Sequence, residues 1–170
     1  MLMPDREASD NSVPVQGVIP ISQMVGDDKE DTRLLNLMAS HARNYLSSFP
    51  WCKSVTDLYF GDGYGGVITL FFARVEPSRP EIDEWLWVVW GVDFPPAYLV
   101  IDTCKTPIQA FDRYLDGLTT WVRLAKQGKS SEEGMPIYVP PTLENALELE
   151  KKLVFLRDVV LPEFQKNRSA

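Results

Sequence analysis

From Thr32 to Phe49 the apolar side chains Leu34, Met38, Tyr45 and Phe49, joined by Leu35, Ala42 and Leu46, return at the spacing of one helix face. That pattern predicts a helix, and Pro50 stops it. Two segments rich in β-branched and aromatic residues follow, Val55 to Phe60 and Val67 to Val75, separated by Gly61-Asp62-Gly63-Tyr64-Gly65-Gly66. Glycines accept the positive φ of a tight reversal, so the pair reads as a β-hairpin. A second hairpin is expected from Glu84 to Trp90 and Ala97 to Ile101, turning at Asp93-Phe94-Pro95-Pro96. In the first strand of that hairpin Trp85, Trp87 and Val89 alternate with Leu86, Val88 and Trp90. Both sheet faces therefore want to leave water, and each needs a covering layer or a partner.

Thr106-Pro107-Ile108-Gln109 carries three consistent signs of a helix start: a threonine N-cap, proline at the first helical position and a glutamine placed to close a capping box. Ile108, Phe111, Leu115, Leu118 and Val122 form its apolar stripe, and Gly128 ends it. A polar loop with Ser130, Ser131, Gly134 and Pro136 leads to an extended Ile137-Tyr138-Val139. Pro140-Pro141-Thr142 opens a last helix with a stripe of Leu143, Ala146, Leu149, Leu153, Leu156, Val160 and Phe164, expected to kink at Pro162. The predicted class is α+β: a four-stranded antiparallel meander sheet packed by an N-terminal helix and two C-terminal helices, over residues 32–170 as a single domain. Residues 1–31 read as an acidic tail, flexible or extended, whose apolar pieces Val13-Pro14-Val15 and Val18-Ile19-Pro20-Ile21 could lie over the domain.

The charge of −7 sharpens this picture. Seven acidic and two basic groups fall in residues 1–31, none and three in residues 32–56, eight and two in residues 57–102, and nine and ten thereafter. The acidity of the folded part sits in its middle third. Without a basic stripe, no nucleic-acid partner is expected. The longest apolar run, Trp85 to Trp90, is far short of the roughly 20 residues of a membrane span, so no membrane partner is expected and the cytoplasm is the expected location. Cys52 and Cys104 lie in no metal-ligand spacing; a disulfide between them stays open, with two buried thiols the expectation for a reducing compartment. A single histidine, His41, argues against any site needing several imidazoles. No metal or cofactor is implied.

Gly61-x-Gly63-x-x-Gly66 matches a phosphate-loop glycine pattern, but a strand follows the third glycine where such a loop needs a helix N-terminus, so a structural turn is expected. His41 and Cys52 suggest a nucleophilic pair only formally, since nothing in sequence orients the imidazole. Glu81, Asp83 and Glu84 make the densest anionic patch, with Asp57, Asp62, Asp93 and Asp102 adding to it; the bland reading is a solvated strand entrance. Trp51, Trp85, Trp87, Trp90 and Trp121 read singly as core, yet three indoles in six residues are hard to hide, so at least one is expected at an interface.

Trp51-Cys52-Lys53, Glu84-Trp85-Leu86-Trp87-Val88-Val89 and Pro95-Pro96-Ala97-Tyr98-Leu99 resemble the core of a family of bacterial proteins of unassigned function. The resemblance implies a bacterial or phage origin and carries over no functional residue. The residues themselves point to a non-enzymatic protein-binding module for a basic partner, through Glu81, Asp83, Glu84, Trp85, Trp87, Asp62, Tyr64 and Asp93. Small acidic α+β chains of this kind occur among bacterial immunity proteins and antitoxins, so by analogy the partner is a basic toxin. The alternative is a small-ligand protein or enzyme with Asp102, Asp57 or Glu84 titrating in a pocket between sheet and helix. A homo-oligomer that pairs its second sheet face is a third possibility.

Overall fold

A computed structural model describes residues 12–130 and 135–169; residues 1–11 of the expected tail and residues 131–134 of the polar loop lie outside the described residues. The sheet is antiparallel, in the order β1 (Ile19–Pro20), β2 (Cys52–Tyr64), β3 (Ile68–Pro77), β4 (Trp85–Gly91) and β5 (Phe94–Val100). It has five strands, not the four read from the sequence. The extra strand comes from the segment read as tail: Ile19 and Pro20 pair with Phe60 and Tyr59, while Val13, Val15 and Val18 pack against the core. Proline lacks a donor, and the sheet margin is where a strand tolerates that.

The helix α1 (Lys29–Ser47) starts three residues before the expected Thr32. Asp28 is the reason, since its carboxylate accepts from the Asp31 N–H at 2.8 Å, and Glu30 and Asp31 favour the positive helix end. The helix α2 (Pro107–Ala125) begins where the sequence places it: the Thr106 hydroxyl accepts from the Gln109 N–H at 3.3 Å. The Gln109 side chain accepts from the Lys105 N–H at 2.7 Å, one residue before the cap of the expected box. The helix α3 (Leu143–Phe155) widens through a π turn at Leu156–Val160 and continues as α4 (Leu161–Ser169), making one rod. Pro162 carries no N–H and its ring crowds the turn before it, so the rod answers the proline by widening.

Two turns also differ from expectation. The β4–β5 reversal uses only Val92 and Asp93, with Asp93 at φ 66°, and places Pro95 and Pro96 inside β5. The β2–β3 strands run on past the first glycines, and Gly65 and Gly66, at φ 44° and 71°, make the turn.

Strand alternation then sorts the apolar side chains into two cores. Phe71, Ala73, Val75, Leu86 and Val88 meet Leu35, Met38, Ala42 and Leu46 of α1 on one face. On the other, Leu70, Phe72, Trp87, Val89 and Leu99 meet Phe111, Tyr114, Leu115 and Leu118 of α2 and Leu149, Leu153, Leu156 and Phe164 of the last rod. The sheet is thus covered on both sides, as the pattern of β4 requires. Cys52 belongs to the first core and Cys104 to the second, and both are buried free thiols.

Candidate docking site

Antiparallel reversal decides where the expected site residues go. Arg74 pairs with Trp85 and Ile68 with Gly91, so the two ends of the β3–β4 ladder lie six residues apart, or roughly 20 Å at strand rise. Glu81, Asp83, Glu84 and Trp85 sit at the β3–β4 end, whereas Asp62, Tyr64 and Asp93 sit at the opposite end. They do not form one flank.

Several of them have local work. Trp87 is 0% exposed, and its indole N–H donates to the Cys104 carbonyl at 3.0 Å, so it is core and no part of an accessible surface. Asp62 is 7% exposed, and its Oδ1 accepts from the Gly63 N–H at 2.9 Å and from the Asn167 amide at 3.2 Å, tying the last helix to β2. Tyr64 packs edge-on against Phe155. The Asp93 carbonyl accepts from Lys152 Nζ at 2.6 Å. Glu84 pairs with Arg74, whose guanidinium lies 5.2 Å from the Trp85 ring centre, and Trp85 in turn stacks on Phe72. Glu81 pairs with Arg79 at 3.4 Å. Asp83 forms no ion pair among the described residues.

An uninterrupted aromatic surface lies elsewhere, on the α1 side of the sheet, from Trp90 of β4 to Trp51 beside the β3–β4 loop. His41 stacks on Trp90 at 5.3 Å, Tyr45 lies 6.0 Å from Trp90 and 5.1 Å from Phe49, and Phe49 stacks on Trp51 at 5.3 Å. Tyr98 meets Trp51 at 5.0 Å and Phe49 at 5.2 Å, and Tyr138, 71% exposed, meets Phe49 at 6.0 Å. Local sequence explains the placement. Helical spacing puts His41 and Tyr45 on one side of α1, Phe49 follows just past the helix end, Pro50 turns the chain, and the Trp51 carbonyl accepts from the Ser78 N–H at 2.8 Å, which fixes Trp51 beside the β3–β4 loop. The Tyr45 hydroxyl donates to the Pro96 carbonyl at 3.4 Å. Burial raises the Tyr45 and Tyr98 phenols above their ordinary values, so both stay neutral donors.

Beyond this surface opens a groove of about 260 Å³ lined by Trp51, Arg79, Ile82, Asp83, Leu86, Tyr98 and Val100. Pockets for drug-sized ligands span roughly 300–1,000 Å³, so the groove is of a size to take a single side chain. The larger space of about 440 Å³ between α2 and α3 is crossed by polar ties, Lys126 to Glu150 and Arg157 to the Thr119 hydroxyl. Asp57, Glu84 and Asp102 all stand on the exposed surface, so no sheet–helix pocket holds them. Among the described residues no three His, Cys, Asp or Glu side chains are grouped to hold a metal ion, and no helix is long and apolar enough to cross a membrane.

Of the expected site residues, only Asp83 lines this groove. Trp51 was read in sequence as core, and nothing there marked Phe49, Tyr98 or Tyr138 as its neighbours in a site. They come from three separate elements, and no spacing rule links them. No protein-family model matches the chain, and neither a curated protein nor a solved structure matches it.

Proposed function

We propose that the protein is a binding module that covers part of a basic partner protein, using the aromatic surface from Tyr45 to Tyr138 and the groove that ends at Asp83. The observation that carries this reading is the run of half-buried rings Tyr45, Phe49, Trp51 and Tyr98 beside a largely apolar groove that holds the carboxylate of Asp83. A cluster of aromatic rings left partly open to solvent is the kind of surface that serves an interface, where Trp and Tyr dominate binding energy. The net charge of −7 favours encounter with a cationic surface. Neutralising a basic toxin, in the manner of an immunity protein or antitoxin, is the biological form this takes. The small groove and the exposed positions of Asp57, Glu84 and Asp102 favour docking over turnover.

Calorimetric titration of basic proteins encoded beside its gene, at low salt, tests the proposal. A complex should form, and Trp51→Ala or Tyr138→Ala should weaken it by about 30-fold, the loss of one interface anchor. Asp83→Lys should slow association and reduce its salt dependence. A complex indifferent to all three substitutions, or turnover of a small molecule by the protein, overturns it.

A further inference from the structure

The groove borders an edge. β5 ends the sheet, pairing with β4 on one side and with no strand of the described residues on the other. Its first half is closed to pairing: Pro95 and Pro96 have no N–H, and their carbonyls are taken by the hydroxyls of Tyr114 at 2.7 Å and Tyr45 at 3.4 Å. Its second half, Ala97 to Val100, carries no proline; Ala97 and Leu99 belong to the second core, and Val100 is 44% exposed. Tyr98 and Val100 share the face that lines the groove, so alternate side chains of an added strand would stand beside them.

Charge selects among possible occupants. Glu81 and Glu84 have cations, Arg79 and Arg74, but Asp83 in the groove and Asp102 just past β5 pair with none among the described residues. The protein already joins a guanidinium, an indole and a carboxylate at Arg74, Trp85 and Glu84. The groove offers the same indole and carboxylate in Trp51 and Asp83, with Tyr98 added. A guanidinium is planar, stacks on aromatic rings and pairs with a carboxylate, which suits it to that space. A second copy would supply no such group, because residues 94–101 contain neither Lys nor Arg.

We infer that the partner docks through an extended, arginine-bearing segment that adds to β5 along Ala97–Val100 and places its guanidinium over Trp51 and Tyr98 against Asp83. This rests on the docking function proposed above and names its mode, main-chain pairing for affinity and one side-chain pocket for specificity.

Solution NMR with the blocked peptide Thr-Val-Arg-Val-Thr tests it. Shifts should concentrate at the amides of Ala97–Val100 and at the Trp51 indole. Citrulline in place of arginine should weaken binding by about tenfold, and N-methylation of the peptide amides should abolish it. Asp83→Asn should lower the arginine peptide to the citrulline level and leave the citrulline peptide unchanged. Arg79→Ala, which removes the neighbouring cation, should not weaken binding. No shifts at millimolar peptide, shifts at another surface, or equal binding of both peptides overturns the inference, as does edge broadening that grows with protein concentration alone and marks self-pairing. If the peptide fails while a whole partner still depends on Trp51, the docking function stands and only its strand-addition mode falls.

Discussion

Replacing Trp87 by phenylalanine separates a core role from an interface role at a residue whose sequence setting suggested the latter. The indole is 0% exposed and donates to the Cys104 carbonyl at 3.0 Å, between Phe72 and the crossing that leads into α2. Phenylalanine removes that hydrogen bond and leaves a buried carbonyl without its donor, a loss of about 1–3 kcal/mol. The missing part of the ring system leaves a void among Phe72, Val89 and Leu99, adding about 1 kcal/mol. The sum, about 3 kcal/mol, is a large share of the roughly 5–15 kcal/mol of a typical domain, and at about 2–4 °C per kcal/mol it lowers Tm by about 6–12 °C. Calorimetry and urea unfolding followed by near-UV circular dichroism measure it. Partner affinity should be unchanged below the new midpoint. A variant within about 0.5 kcal/mol of the parent that has lost partner binding would show that Trp87 reaches the interface and that the two-core account is wrong.

Gly66→Ala should destabilise more than Gly65→Ala: both glycines have positive φ, about 1 kcal/mol of strain for alanine, but only at Gly66 would the new Cβ meet Leu34 Cδ1, at 2.8 Å. Urea midpoints rank them, and equal losses would refute the contact. Alkaline pH should unfold the protein through its buried phenols. Burial raises Tyr114 and Tyr45 above the ordinary 10.0, so the unfolded chain releases those protons first. Their stabilising contribution is complete below pH 10 and is lost as pH rises through the folded values, with a slope of about 1.4 kcal/mol per pH unit for Tyr114. Phenolate absorbance of Tyr114 should then appear only together with loss of fold, and its appearance in the native state would contradict the packing.

How much of this was legible in the chain depended on distance along it. The start of α2 could be read from four residues because a cap satisfies donors within one turn. The two-sided burial of β4 could be read because alternation is a property of adjacent residues. The strand Ile19–Pro20 could not, since two residues show no period and only the Phe60–Tyr59 edge makes them a strand. The acidic residues grouped in the middle third of the sequence were parted to opposite ends of the sheet, because each antiparallel reversal carries the chain to the other end. Asp62, a candidate for a partner, became an internal tie once Asn167 arrived from the far end of the chain.

By itself the sequence determined which stretches form helices and strands, that the central sheet needs cover on both faces, and the excess of negative charge. Those follow from short-range sterics, capping and period, which act within a few residues. Tertiary structure alone decided which indole is hidden and which is offered, which carboxylate is left without a cation, and that rings from α1, β5 and the segment before α3 meet beside one groove. Exposure and proximity are properties of the packed whole, set by how layers cover the sheet and where its last strand is left without a neighbour.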